Sequence, residues 1–306
     1  MAELSLPSPR TVLVTGATGG VGSAVARALH ADGWTVYAAH RKPADAEALR
    51  DAGFTPVRLE LTDEDSVAAA AEQVGRRLDG LVNSAAIMGQ GPVELTLTEA
   101  WRRQFEINVI GQATVIRAFL PALRASGGRI VNIGAVSARV PPPFFGPIAA
   151  SKAALAALTH SLRAELRHQG VKVTLVEPGA MDTPIFTTAD KASADLGWAG
   201  SPDTQRYYAR ALDAVRATAA RQPLGPVIPA VDAVVRALTA RRPATLSTTG
   251  KDGRALALLR FLPDGLRDRL VLRAFGVTTE AFDNTTPDDT TPDDTPLRES
   301  SAARPQ

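Results

Sequence analysis

The chain contains no cysteine. Disulfides, thiolate nucleophiles and cysteine-held metals are therefore excluded, and a reducing compartment is permitted. Aromatic residues make up only 5% of it, and just three are tyrosine, with none between Tyr37 and Tyr207. No stretch reaches the ~18 consecutive apolar residues that cross a membrane. The first ten residues lack the basic start and apolar run of a secretory signal. Neither charge sign dominates: 34 Lys+Arg face 32 Asp+Glu, for a net +2. That balance offers no broad field to a nucleic acid. The four histidines, His30, His40, His160 and His168, form no ligand motif, so no metal is expected. The expectation is a cytoplasmic protein with no nucleic-acid partner.

What is present is ordinary globular material. The 306 residues are 45% hydrophobic and 22% charged, enough for one large α/β domain with a full core. Short β-branched runs alternate with alanine-rich helical patterns. Strands are predicted at Thr11–Thr15, Thr35–Ala39, Pro56–Glu60, Leu81–Ser84, Ile130–Ile133 and Lys172–Glu177. Helices are predicted at Val21–Ala31, Ala44–Ala52, Asp63–Arg76, through Ile110, and at Ala149–His168. Thr62 with Asp65, and Thr96 with Glu99, have the spacing of helix capping boxes. The strands are nearly all apolar, as in a sheet covered on both faces. The pattern predicts a doubly wound, mostly parallel α/β sheet.

After Gly179 the alternation weakens. A pocket lid is expected at about 185–228, with a helix near Thr204–Ala220. Ala230–Thr239 reads as a helix and Ala244–Ser247 as a last strand. A helical extension at about 254–275 mixes Leu and Phe with Arg. It is expected to dock on the body or on a partner, with an amphipathic membrane contact as the lesser alternative. Thr278–Gln306 repeats the unit TTPDD and carries a surplus of five negative charges. That composition predicts a disordered acidic tail after a single domain over residues 1–277.

Thr15-Gly16-Ala17-Thr18-Gly19-Gly20-Val21-Gly22 joins the first strand to the first helix. Glycines let a backbone turn tightly and approach a pyrophosphate, while the helix N-terminus presents N–H groups to the anion. This spacing resembles that of the short-chain dehydrogenase/reductase family. Asn83-Ser84-Ala85-Ala86, Asn108, Arg129–Ile133, Ser151-Lys152-Ala153-Ala154-Leu155, and Pro178-Gly179 with Thr183 match further motifs of that family in order. The resemblance covers residues 10–275 and implies a single domain of Rossmann type. It also implies a homodimer or homotetramer built from helices around Trp101–Leu123 and Ala149–His168.

The resemblance assigns the nucleotide to Gly16, Thr18, Gly19, Gly20, Val21, Gly22, Asn83, Ala85, Lys152, Pro178, Gly179 and Thr183. In the family, an acid after the second strand binds ribose hydroxyls and a base there favours a 2′-phosphate. Here Ala39-His40-Arg41-Lys42 holds no acid, and Arg41 can fork onto a phosphate. NADP(H) is therefore favoured over NAD(H). Glu60-Leu61 stands where the family has Asp-Val or Asp-Leu beside the adenine.

The family's chemistry uses Asn, Ser, Tyr and Lys. Asn108 and Lys152 match. Four residues before Lys152, where the family has Tyr, stands Ile148, and thirteen before that, where it has Ser, stands Ala135. Neither can donate a proton or polarise a carbonyl. Ser137 is the nearest candidate substitute. Phe144, Phe145, Ile185 and Phe186, with Tyr207 and Tyr208 from the lid, join Ala135, Ser137 and Ile148 as candidate pocket walls. So apolar a cavity favours a lipophilic small molecule. Three readings stay open: hydride transfer in a non-standard site to an enone, imine or carbonyl; a non-redox cyclase, isomerase or dehydratase of secondary metabolism; and a non-catalytic NADP(H)-binding protein.

Overall fold

The first strand, β1 (Thr11–Thr15), shows why its three central residues are apolar. Val12 and Val14 point into one core and Leu13 into another, on the opposite face of the same sheet. A computed structural model describes residues 9–185, 188, 201–221 and 224–278. The chain alternates β1, α1 (Gly20–Ala31), β2 (Thr35–His40), α2 (Asp45–Asp51), β3 (Thr55–Arg58), α3 (Glu64–Val74) and β4 (Gly80–Asn83). It continues with α4 (Thr98–Phe105), a π-helical turn (Glu106–Ile110), α5 (Gly111–Ser126), β5 (Arg129–Ile133), a 3-10 turn (Val136–Ala138), α6 (Gly146–Leu166) and β6 (Lys172–Pro178). Then follow α7 (Pro202–Arg221), α8 (Ile228–Thr239), β7 (Leu246–Thr249), α9 (Lys251–Leu259) and α10 (Asp264–Ala274).

The strands form one seven-stranded sheet in the order β3-β2-β1-β4-β5-β6-β7. All six pairings are parallel. Residues of α1 and α8 build the core on one face, and those of α3, α5 and α6 the core on the other. The expected doubly wound α/β domain is therefore present. Strand order reverses at β1, which pairs with β2 on one side and β4 on the other. In such sheets ligands bind beyond the strand C-termini at that reversal. Among the described residues no helix is long and apolar enough to cross a membrane, and no cluster of ligating side chains could hold a metal ion.

Both expected capping boxes are absent. Asp63, not Thr62, caps α3: its carboxylate accepts from Asp65 N at 3.0 Å and Ser66 N at 3.1 Å. A carboxylate so placed gives charge-assisted bonds that a hydroxyl does not match. Thr62 instead donates to Glu60 Oε1. Thr96 donates to Pro92 O at 2.7 Å, and Leu97 heads α4 without a side-chain cap. The last strand is displaced from the expected Ala244–Ser247 to Leu246–Thr249, where Leu246 pairs with Leu175 and Thr249 with Pro178.

Candidate active site

The turn between β1 and α1 is closed on itself. Gly16 has φ of +66°, which glycine adopts at little cost. A Cβ on Gly16 would lie 2.8 Å from backbone atoms of Ala85, and one on Gly22 would lie 2.1 Å from the Gly16 carbonyl oxygen. Gly19 N donates to that same carbonyl at 2.9 Å. Gly19 heads α1, and no side chain caps the helix. Its first N–H groups, with the helix dipole, therefore form an anion seat. Thr18 and Gly19 are exposed on this turn, and Val21 is half-buried. Thr183 stands over the seat, since a Cβ on Gly20 would meet its Cγ2 at 2.6 Å.

Two neighbouring strand ends complete this half. Thr15 Oγ1 accepts from Ser84 N at 3.1 Å and Ala85 N at 3.2 Å, tying β1 to the segment after β4. The loop from Pro178-Gly179 to Thr183 is braced by Gly225, whose carbonyl accepts from Asp182 N at 2.9 Å and whose N–H donates to Ala180 O at 3.1 Å. Arg41 follows β2, and Glu60-Leu61 follow β3. Arg41 Nε lies 3.9 Å from Glu60 Oε2, with Arg41 59% exposed. A pair so long and exposed binds weakly, which leaves the guanidinium open to a ligand. Leu61 packs under Gly111, where a Cβ would come within 2.8 Å of its own.

Lys152 lies on α6 and is buried. Its Nζ donates to Ile133 O at 2.7 Å, at the end of β5. Burial pushes the ammonium down to about 8. Asn108, in the π-helical turn, accepts from Ile87 N and donates to Ile87 O, each at 2.9 Å, and also donates to Ser151 Oγ at 3.1 Å. Gln104 donates to the same Ser151 hydroxyl at 3.1 Å and to Ile87 O at 2.9 Å, and accepts from Gly89 N at 2.7 Å. Gln112 donates to Ala85 O at 2.6 Å. Three amides spaced four residues apart thus hold the backbone from Ala85 to Gly89. The sequence reading singled out Asn108 alone, although the repeat Gln104, Asn108, Gln112 is visible in the sequence. The Asn83 side chain joins a buried chain: it donates to Asn132 Oδ1, and Asn132 donates to Thr159 Oγ1, both at 2.9 Å.

The remaining candidate positions do not all come together. Ala135 heads the 3-10 turn that carries Ser137, and that turn packs on α6. Ile148 is buried with Met88 in an apolar cluster joined by Phe145 and Ile185. Phe145 also belongs to a second cluster with Phe144, Phe275, Ala211, Val215 and Val277. Phe144 has φ of +66°, and its carbonyl accepts from Gly91 N. Tyr208 stacks edge-on against Phe144 at 6.3 Å and donates its hydroxyl to Glu94 Oε2 at 2.6 Å. Tyr207 is 60% exposed and joins neither cluster. Phe186 and residues 189–200 of the expected lid lie outside the described residues. The C-terminal region packs on the body at this loop: a Cβ on Gly253 of α9 would lie 2.9 Å from Gly179 N.

The comparisons with known proteins agree with this geometry. A family model described as short chain dehydrogenase matches residues 10–194. The chain is 43% identical over 199 residues to the short-chain dehydrogenase ptmH of Penicillium ochrochloron, covering 62% of this chain and 72% of that one. It is 32% identical over 288 residues to the 17-beta-hydroxysteroid dehydrogenase type 6 of Bos taurus, covering 88% and 90%. It superposes with a TM-score of 0.69 and 31% identity on a Burkholderia cenocepacia short chain dehydrogenase crystallised with NADP, over 86% of this chain and 97% of that one. With its sheet order, its glycine turn and these matches, the chain belongs to the short-chain dehydrogenase/reductase family.

Proposed function

We propose that the protein is an NADP(H)-dependent oxidoreductase that acts on a lipophilic small molecule without the family's Ser and Tyr. The observation that carries this reading is the glycine seat, whose close approaches leave no room for side chains at Gly16, Gly20 and Gly22. A dinucleotide fits there. The turn and the α1 N-terminus would hold its pyrophosphate, Arg41 its 2′-phosphate, and Lys152 its nicotinamide ribose. Thr183, with Pro178-Gly179, would border the nicotinamide side. When bound, NADPH supplies a hydride.

The rest of the chemistry belongs to the chain's own residues. Ile148 offers a hydrocarbon surface where a proton donor would stand, and Ala135 a methyl group where an oxygen would be held. Such walls desolvate a substrate and orient it by shape, which alone lowers a barrier by several kcal/mol. They suit an acceptor that needs no proton at a carbonyl oxygen in the same step, such as a cyclic iminium or a conjugated enone. Lys152 Nζ, fixed on Ile133 O, keeps a positive charge on the ribose side at neutral pH. Asn108 and Gln104, both donating to Ser151, hold the segment from Ile87 to Gly89 by its backbone.

The test is NADPH consumption with a panel of enones, cyclic imines and lipophilic ketones, with product masses recorded. The expected result is turnover on an enone or imine, with two hydrogens gained, and little on simple ketones. A product of substrate mass, or of substrate mass less water, formed whatever the redox state of the nucleotide, would overturn hydride transfer in favour of a cyclase, isomerase or dehydratase. Nucleotide binding with silence across the panel would leave a binding protein.

A further inference from the structure

Half of the large hydrophobic residues exposed among the described residues lie in one short stretch. They are Leu258, Phe261, Leu266, Leu270 and Leu272, with Phe261 71% and Leu258 65% exposed. Helix α10 buries only Val271. Leu266, Arg269, Leu270 and Arg273 follow the i, i+3, i+4, i+7 spacing that puts residues on one helix stripe. From Arg254 to Arg273 the chain holds five arginines and two aspartates. Both aspartates are engaged by Arg267. Arg254, Arg260, Arg269 and Arg273 are exposed and have no acidic partner among the described residues, while Arg260 lies over the Phe261 ring at 4.5 Å.

We propose that α9 and α10 form a docking face for an anionic lipid bilayer. Two properties must be matched together: large apolar side chains and unpaired guanidinium groups. A bilayer surface matches both, taking Leu and Phe into the acyl boundary while the arginines fork onto phosphates. A second copy matches only the first, because a two-fold contact would set this face against itself and its arginines against arginines. The segment 279–306 matches only the second. It carries seven acids but, as large apolar residues, only Phe282 and Leu297.

The face adjoins the candidate pocket through covered contacts. Phe275, just after α10, packs on Phe145 at 6.2 Å, and Gly253, in the first turn of α9, abuts Gly179. Docking there would bring the pocket's apolar wall close to the bilayer. The docking itself is independent of the proposed reaction and is read without substrate.

The test is co-sedimentation of the full chain with phosphatidylcholine vesicles and with vesicles containing about 30% phosphatidylglycerol. Binding to the anionic vesicles should exceed binding to the neutral ones at least tenfold, and should fall as salt screens the arginines. Leu266→Asp with Leu270→Asp should abolish it, and Arg269→Gln with Arg273→Gln should lower it at least fivefold, with circular dichroism unchanged for both. Equal sedimentation of all proteins with both vesicle types would overturn the proposal. So would absence of sedimentation, including the case in which light scattering shows self-association that Leu266→Asp with Leu270→Asp removes.

Discussion

Arg139 and Glu177 join the two loops on which the candidate chemistry stands. Arg139 follows the 3-10 turn that carries Ser137, and Glu177 directly precedes Pro178-Gly179. The Arg139 Nε lies 2.8 Å from Glu177 Oε2 and 3.1 Å from Oε1, and the Glu177 side chain is wholly buried. Burial pushes the Glu177 carboxyl up, while the hydrogen bond and charge of Arg139 oppose the rise. Arg139→Met would leave that carboxylate without a cation, at a cost of about 3–5 kcal/mol near neutral pH.

The variant's deficit should shrink in acid. A carboxyl raised in the folded state takes up a proton before the unfolded chain does, so stability recovers as pH falls toward the unfolded value of about 4.3. Urea midpoints at about pH 7.5 and about pH 5.5 would show this recovery as a narrowing gap to the parent protein. A gap that stays constant would mean that the carboxylate is not the source of the loss.

Lys152 predicts the opposite dependence. Its folded value of about 8 lies below the ~10.4 of an unfolded lysine. Between those values the unfolded chain holds a proton that the folded chain has lost, so this group adds stability as pH rises from about 8 to about 10.4. The contribution is fully in place above that window and is at its least below it. Lys152→Met removes the dependence. Relative to Lys152→Met, the parent should gain on the order of 2 kcal/mol between about pH 7 and about pH 10, read as paired denaturation curves without nucleotide. Parallel curves would show that the ammonium is not desolvated.

Nucleotide choice should rest on Arg41. Replacing it with alanine removes a guanidinium that only weakly engages Glu60, so the fold should be unaffected. NADPH affinity should fall at least tenfold, the worth of one charge-assisted contact of about 1.5–3 kcal/mol. NADH affinity should stay within about twofold. Calorimetric titration of both nucleotides into both proteins gives the comparison, and equal losses for the two would move the 2′-phosphate contact elsewhere.

Ala135→Ser with Ile148→Tyr should confer ketone reduction if the proposed site is right, because Asn108 and Lys152 match the family's motif in the sequence. Ile148 is enclosed by Met88, Phe145 and Ile185, so the larger tyrosine should cost about 1–3 kcal/mol of stability. The measurement is NADPH-dependent ketone turnover by a double variant shown to be folded and nucleotide-bound. A silent protein would mean that the apolar cluster holds the new ring away from Lys152.

Much of this was readable from the residues alone. The sheet was legible because the strand centres are mostly apolar where helices cover both faces, and the turn because Gly16, Gly20 and Gly22 leave no room for a Cβ. The helix starts were less legible. Thr62 and Thr96 have capping-box spacing, but spacing does not say which hydroxyl will find a nearer carbonyl or carboxylate. The π-helical turn left no signature in composition. In a regular α-helix, residues four apart drift about 40° round the axis at each step. The wider turn between Glu106 and Ile110 takes back part of that drift, and this is how Gln104, Asn108 and Gln112 all reach one loop. The packing of Gly253 on Gly179 depends on contacts far apart in the chain, which local patterns do not carry.

The strand order also bears on how the chain can assemble as it leaves the ribosome. β2 pairs with β1 and β3 then adds to β2, while β4, β5, β6 and β7 are each laid on the edge the preceding addition left open. No strand ever has to be inserted between two that are already paired. The glycine turn and the strand ends that flank it, from β1 to β4, can form while the later elements, and with them Lys152 and Thr183, are still unmade. The opposite wall arrives last, with β7, α9 and Phe275. A nascent chain can therefore form its glycine turn and the anion seat at α1 long before the residues of the candidate pocket are in place.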